Sequence, residues 1–258
     1  MLKVDIQGPI ARVTFDRPEL HNAFNEEFIR TVTLTFNELG HNSAVRAVIL
    51  AGAGKSFCAG ADLNWMKSMA SYTREENIED AKNAARMFMS IAKCPKPVIA
   101  RIHGAALGGG AGVVAACDIS IAVETAQFGF TEVKLGIVPG VIAPHVLARI
   151  GPGYAREYFI TGERFPASVA LKIGLVQHVV ADEAVLDALI ASKVEQILTA
   201  APGAIAAVKE LIFGVAERTL DSSFDFTAAA IARARSSDEG QAGMKAFFAR
   251  EKAPWVQG

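Results

Sequence analysis

A glycine-rich segment suggests a site for a negatively charged oxygen. The run HGAALGGGAG, at positions 103–112, places five glycines between a predicted strand and a predicted helix. Glycine lets the backbone approach a ligand closely, and N–H groups at a helix N-terminus favour negative charge. The run alone supports an oxyanion site and tight helix–strand packing equally. It fits neither a P-loop nor the dinucleotide pattern G-x-G-x-x-G, whose last position here is Val113.

A second loop of the same kind, SFCAGAD at positions 56–62, also follows a predicted strand and precedes a helix. Two such loops can each direct one backbone N–H towards a single oxygen, which is the arrangement of an oxyanion hole. Losing one such donor typically costs a factor of about 10²–10³ in rate. Trp65 and Met66 follow this loop and are read either as pocket lining or as core.

Glu132 is the leading acid or base. It lies between apolar Phe130 and Val133 in the segment FGFTEVKLGIVPG, which favours a functional carboxylate over a solvated one. Asp118 and Glu124 are rival acids. We predict that Asp118 is a structural hydrogen-bond acceptor and that Glu124 is a surface charge.

Metal and disulfide chemistry are not expected. The five histidines show no H-x-x-x-H spacing, and the three cysteines show no C-x-x-C pair. This cysteine usage predicts a reducing, cytoplasmic location.

The elements that would position these residues alternate between strand and helix. Alternation of polar and apolar residues predicts a hairpin of 2–7 with 10–15. Helical spacing and caps predict helices over 25–40, 73–92 and 166–173, and apolar runs predict strands over 46–51, 98–102 and 119–123. From about residue 182 the chain turns Ala-rich and predicts three or four helices. The pattern indicates an α/β core with a C-terminal α-helical subdomain.

Composition points to a small-molecule partner. The chain has 258 residues, a net charge of −1 and no basic stripe, so nucleic-acid binding is not expected. No run reaches the roughly 20 apolar residues of a membrane helix, and no targeting segment is visible.

The motifs SFCAGADL, PVIARIHGAALGGGAG, CDISIA and AQFGFTEVKLGIVPG, in this order, resemble the enoyl-CoA hydratase/isomerase (crotonase) superfamily. The resemblance implies a spiral of ββα units over 1–200, which binds acyl-CoA thioesters, and a helical subdomain over 201–258 for oligomerisation. It also implies a homotrimer or a hexamer of two trimers. No separate cofactor is implied, because coenzyme A is part of the substrate.

The same resemblance assigns the catalytic groups. The oxyanion donors are the N–H groups of Ala61 and Gly109, and Glu132 matches the second of the two glutamates of family hydratases. The first glutamate is replaced by Gly112. One carboxylate leaves open a hydratase, a Δ3-Δ2 enoyl-CoA isomerase and, from a different class, a non-catalytic binding protein with this fold.

The resemblance also suggests substrate contacts. These are Ala23, Lys55, Ala59, Trp65, Met66, Gly108, Gly112, Pro139, His145, Phe248 and Lys252, the last two reaching the coenzyme A of a neighbouring subunit.

Three segments further resemble bacterial methylglutaconyl-CoA hydratases, namely GVVAACDISIA, VIAPHV and the C-terminal RARSSDEGQAGMKAFFAREKAPW. Such a substrate has a terminal carboxylate, for which Lys67, Arg86 and His145 are the candidate cations. A hydratase acting on 3-methylglutaconyl-CoA or a similar branched enoyl-CoA is therefore the leading expectation.

Overall fold

The computed structural model describes residues 1–256, which form ten strands and ten α-helices. The strands are β1 (Leu2–Gln7), β2 (Ile10–Phe15), β3 (Ala47–Gly52), β4 (Ser56–Cys58), β5 (Val98–Ile102), β6 (Ala105–Leu107), β7 (Ile119–Val123), β8 (Gln127–Gly129), β9 (Arg164–Pro166) and β10 (His178–Val180). The helices are α1 (Glu26–His41), α2 (Leu63–Met69), α3 (Arg74–Ala92), α4 (Gly109–Ala116), α5 (Ala143–Thr161), α6 (Ala167–Lys172), α7 (Glu183–Thr199), α8 (Pro202–Ala216), α9 (Leu220–Ser236) and α10 (Asp238–Ala249).

The strands form two sheets that the chain visits in alternation. The larger sheet has the order β1-β2-β3-β5-β7-β10, and the smaller has the order β4-β6-β8-β9. All pairs are parallel except β1 with β2 and β8 with β9. Successive turns therefore place one strand in each sheet before a helix follows, which confirms the expected α/β spiral of ββα units.

Apolar periodicity explains the elements that the sequence predicts well. Asn25 caps α1 by accepting a hydrogen bond from the Phe28 N–H at 2.9 Å, and Thr73 and Glu76 form the predicted capping box of α3. Every residue of β5 is buried, as expected for a strand between two covered faces. These elements form one core under the site.

Several elements are missing from the sequence-based prediction. The strands β4, β6 and β8 have three residues each and lie in segments that were predicted as loops. A three-residue strand is too short to show a period of two, so its neighbours in the sheet decide its conformation. Helix α5 was not predicted, because Gly151 (φ +68°) and Pro152 interrupt it with a kink.

The C-terminal helices number four, α7 to α10, within the predicted range. Asp118 accepts a hydrogen bond from the Val98 N–H at 2.7 Å and pairs with Lys209 of α8 at 2.5 Å, so its predicted structural role is confirmed. Glu124 is exposed, as predicted. The division at residue 200 and the oligomerising role of 201–258 stay predictions.

Among residues 1–256, no single helix has both the length and the apolar character needed to cross a membrane; the bent pair of α7 and α8 meets that test only when the two are joined.

Candidate active site

A cavity of about 430 Å³ lies where the two glycine-rich loops meet α2, α3 and the segment that follows β8. It is lined by eight of the predicted site residues, namely Ala59, Ala61, Trp65, Met66, Gly108, Gly109, Glu132 and Pro139. The folding of the chain thus brings together motifs that lie up to 80 positions apart, the separation of Ala59 and Pro139.

The first loop presents the N–H of Ala61. Phe24 forms backbone hydrogen bonds with the two residues that flank Ala61. The Phe24 N–H donates to the Gly60 carbonyl at 2.8 Å, and the Asp62 N–H donates to the Phe24 carbonyl at 2.9 Å. This pairing leaves the Ala61 N–H without an acceptor among residues 1–256. Gly60 permits the required bend because its φ is +92°.

The second loop presents the N–H of Gly109. Gly108 adopts φ +52° and donates its own N–H to the Gly129 carbonyl at 2.8 Å, and Gly109 is then the first residue of α4. In the described part of the chain, the Gly109 N–H also has no acceptor. An N–H in the first turn of a helix normally lacks an intrahelical partner and lies in the positive end of the helix dipole.

The loops are in direct contact, which explains the glycines. A Cβ atom on Gly60 would lie 3.3 Å from the Gly109 nitrogen, and one on Gly110 would lie 2.1 Å from the Cys58 carbonyl oxygen. A Cβ on Gly109 would overlap the Phe24 ring at 2.6 Å. Gly110 thus allows the predicted close packing, and the Gly109 N–H is available to a ligand; its role as an oxyanion donor stays a prediction.

Glu132 lies beside these donors. Its Oε1 is 3.3 Å from the place of a Cβ on Gly108, and its Oε2 is buried with no hydrogen-bond partner in residues 1–256. Burial raises the pKa of this carboxyl, opposed only by its own backbone N–H. A desolvated carboxylate with one free oxygen, next to two available N–H groups, can move protons on a ligand whose oxygen those N–H groups bind.

Gly112 does not line the cavity, contrary to the expectation that it contacts substrate. It is buried behind Ile142 and Phe88, and a Cβ on Gly112 would lie 2.2 Å from Ile142 Cγ2 and 3.1 Å from Phe88 Cε1. Hydrocarbon thus fills the space in which a side chain at position 112 would begin.

The three candidate cations are not in the cavity. Lys67 is exposed, and Arg86 binds Glu79 at 3.0 Å and Asn83 at 2.6 Å on the outer face of α3. His145 is half-buried, with its ring 6.0 Å from that of Phe88, and burial lowers its pKa. None of the three lines the described cavity, and a role for any of them in binding an acyl carboxylate stays a prediction.

The charged residues that do line the cavity are Glu132 and Asp80, both acidic. Asp80, Ala84 and Phe88 come from one face of α3, which the sequence analysis missed. The four-residue spacing of this face was the available signal. Among residues 1–256, no group of three or more His, Cys, Asp or Glu side chains is placed to hold a metal ion.

Four predicted coenzyme A contacts lie outside the cavity. Ala23 is buried, while Lys55, Phe248 and Lys252 are exposed, Phe248 by 80%. Their roles in binding stay predictions.

An ion pair between Arg17 and Asp62 stabilises the first glycine-rich loop. Arg17 contacts Asp62 at 2.9 Å and also donates to the Ala23 carbonyl, and both charged side chains are largely buried. Burial of Asp62 opposes its ionisation, but hydrogen bonds from the Asn64 N–H and from Arg17 prevail and lower its pKa. The pair fixes the residue that follows Ala61.

Comparison with known proteins agrees with this geometry. Residues 5–258 match the family model described as enoyl-CoA hydratase/isomerase. The chain is 36% identical over 253 residues to a short-chain-enoyl-CoA hydratase of Clostridium acetobutylicum, covering 95% of this chain and 94% of the relative. It is 32% identical over 257 residues to the (E)-benzylidenesuccinyl-CoA hydratase of Thauera aromatica, covering 99% and 98%.

Solved structures show the same fold. The crystal structure of an enoyl-CoA hydratase from Shewanella pealeana superposes with a TM-score of 0.94 at 37% identity, over 98% of this chain and 95% of that one.

Proposed function

The chain belongs to the enoyl-CoA hydratase/isomerase family, and from this premise we propose that it adds water across the α,β double bond of an enoyl-CoA. One observation carries the proposal: the Glu132 carboxylate, whose Oε2 has no partner in the described residues, shares a cavity with the available N–H groups of Ala61 and Gly109. A catalyst of this reaction needs a base and an oxyanion site next to one another.

In the proposed mechanism, the two N–H groups donate to the thioester oxygen and draw electron density from C3. Glu132 removes a proton from water, and the water oxygen forms its bond to C3 while the double bond shifts to give the thioester enolate. The enolate then takes the proton from Glu132 at C2. Hydroxyl has been added to C3 and hydrogen to C2, and Glu132 is again a carboxylate.

The apolar surroundings of Glu132 support this role. Because burial raises its pKa, the carboxylate is a stronger base than an exposed glutamate, and the protonated form is a competent donor in the second step. The enclosing hydrocarbon of Phe88 and Ile142 limits access of bulk water to the enolate.

The same observation favours an isomerase as the second candidate. Glu132 is the one carboxylate described beside the oxyanion donors, and hydrocarbon occupies the position of the first family glutamate at Gly112. A single base suffices to remove a proton from C2 of a 3-enoyl-CoA, which gives a thioester dienolate, and to return the proton at C4 so that the double bond moves to C2–C3.

The acyl group is the finer part of the proposal. Sequence resemblance supports 3-methylglutaconyl-CoA or a similar branched enoyl-CoA. The cavity of the described chain offers no cationic side chain to a terminal carboxylate and supports an uncharged acyl group instead. Both substrate classes therefore belong in the first assay.

We also propose that the protein works as a homotrimer or as a hexamer of two trimers, in the cytoplasm, with no cofactor beyond the coenzyme A of the substrate. Apolar side chains on α9 and α10 support association, since Leu220, Phe224, Phe247 and Phe248 are each at least 73% exposed.

The test measures the ultraviolet absorbance of the conjugated enoyl thioester with crotonyl-CoA, 3-methylglutaconyl-CoA and a 3-enoyl-CoA. Loss of absorbance with either of the first two, reduced about 10²–10⁴-fold in Glu132→Gln, supports the hydratase. Glu124→Gln, the same change on an exposed glutamate, is the control and should keep full activity.

The alternatives predict different traces. A gain of absorbance from the 3-enoyl-CoA alone identifies an isomerase. No change of absorbance with any of the three substrates refutes both activities and leaves the non-catalytic binding protein.

A further inference from the structure

The polar part of the cavity wall lies at a distance from the reacting groups. Asp80, Ala84 and Phe88 line the cavity from one face of α3. Phe88 marks the reacting end, because its Cζ is 3.8 Å from the place of a Cβ on Gly109. At 1.5 Å of rise per residue, Asp80 lies about 12 Å further along the helix axis.

Asp80 has no bonding partner there. Within residues 1–256 its carboxylate takes part in no hydrogen bond and no ion pair, although it is half-buried. Burial, followed by the charge of Glu26, raises its pKa, and a hydrogen-bonding contribution from the Trp65 side chain opposes this shift. The indole therefore lies close to the carboxylate, but its Nε1 does not reach hydrogen-bond geometry with it in the described residues.

Trp65 supplies the second observation. Its side chain is 91% buried and lines the same cavity, and its Nε1 has no hydrogen-bond partner in the described residues. A buried indole N–H normally finds an acceptor, because leaving one unpaired costs about 1–3 kcal/mol. An available donor and an available acceptor thus lie together on this part of the wall, where the other polar side chain of α3, Asn77, donates to the Tyr72 and Thr73 carbonyls.

We infer that Asp80 and Trp65 form a recognition site for a hydroxyl group on the distal part of the acyl chain. A hydroxyl can donate to the Asp80 carboxylate and accept from the Trp65 indole N–H at the same time. An ammonium group has no acceptor for the indole, and a methyl group satisfies neither partner.

The site also disfavours a carboxylate at that depth. Asp80 carries like charge, and it also faces the outer groove between α1 and α3, where four glutamates outnumber the two arginines, Arg30 and Arg86. This inference deepens the proposed function by naming the acyl group that the same cavity selects.

The experiment compares 2-enoyl-CoA substrates of six, eight and ten carbons that end in a methyl, a hydroxyl or a carboxylate group. At the length that reaches Asp80, we expect kcat/KM for the hydroxyl-ended substrate to exceed that of the methyl-ended one about tenfold. The carboxylate-ended substrate should be the poorest of the three.

Variants assign the preference to the two side chains. In Asp80→Ala the hydroxyl-to-methyl ratio should fall to about one and the carboxylate-ended substrate should gain. Trp65→Phe keeps the ring and should lose part of the ratio. Glu79→Ala makes the same charge change on the outer face of α3 and should retain the wild-type ratio.

A binding measurement separates this inference from the proposed reaction. Calorimetry with saturated ω-hydroxyoctanoyl-CoA and octanoyl-CoA should show the same tenfold preference, lost in Asp80→Ala. Turnover of the methyl-ended substrates without any hydroxyl preference overturns the inference and leaves the proposed function intact. A hydroxyl preference in binding without turnover of any enoyl-CoA supports the inference and overturns the proposed function. A hydroxyl-to-methyl ratio that is unchanged in Asp80→Ala overturns the inference.

Discussion

Replacing Gly112 by alanine tests whether hydrocarbon occupies the place of the missing glutamate. The new Cβ would lie 2.2 Å from Ile142 Cγ2 and 2.8 Å from Ile142 Cβ, well inside contact distance. Overpacking of a core typically costs about 1–3 kcal/mol, and alanine regains up to about 1 kcal/mol over glycine in a helix. We expect a net loss of about 1–2 kcal/mol.

For a chain of this size, that loss corresponds to a fall in Tm of about 2–8 °C, measured by scanning calorimetry. The control is Gly153→Ala, since Gly153 is exposed, has no atom within 4 Å of a new Cβ and lies in α5. It should raise Tm slightly.

A double-mutant cycle identifies the clashing atom. In an Ile142→Ala background the nearest methyl is gone, so Gly112→Ala should cost at least about 1 kcal/mol less than in the wild type. Equal costs in the two backgrounds, or a Gly112→Ala protein as stable as the wild type, would refute the argument that Ile142 fills this space.

Three further predictions concern buried charges and thiols. Burial raises the pKa of Glu132, so ionising this carboxyl above its unfolded-state pKa destabilises the folded protein. Glu132→Gln removes that cost and should raise Tm at pH 7 but not at pH 4. In the wild type, kcat/KM should fall as the pH decreases through the raised pKa, because the base becomes protonated. Equal Tm values at pH 7 would contradict this. Arg17→Met leaves the Asp62 carboxylate buried without its partner and should lower the urea-unfolding free energy by about 3–5 kcal/mol, with part of the loss recovered when Asp62→Asn is added; no recovery would count against the pair. Burial raises the pKa of Cys58 and of Cys117 to about 12, so an aromatic disulfide reagent should leave both thiols unmodified at pH 8 until the protein is unfolded, and rapid labelling of either would be the opposing result.

Local sequence patterns predicted the elements whose ends are marked by caps, turns or alternation. The hairpin of β1 and β2 follows from strict alternation around Gly8, and α1 and α3 begin at residues whose side chains cap them. The strands β4, β6 and β8 could not be predicted in this way, since three residues contain no period and each strand exists because a parallel neighbour pairs with it.

The residues of the candidate site also include some that the sequence predicts and some that it does not. The loops at Gly60 and Gly108 were predictable because both need backbone conformations that glycine permits, with φ of +92° and +52°. The four-residue spacing of α3 indicates a buried face, but it does not distinguish a cavity wall from core, because Asp80 and Ala84 are ordinary residues of an amphipathic helix until the fold places Trp65 in the same cavity. Arg86 lies outside the cavity because Glu79, about two turns away on the same helix, binds its guanidinium on the outer face.

The absence of a carboxylate at position 112 also decides how Glu132 obtains its basicity. Two neighbouring carboxylates raise one another's pKa through like charge, as well as through burial. Here burial alone raises the pKa of Glu132; the rings of Phe24 and Phe88 lie beside Gly109, and Ile142 and Phe88 lie beside Gly112. The strength of the base therefore depends on how dry the cavity is, and it increases when an apolar acyl group displaces water. The bound substrate would thus help to activate the residue that acts on it.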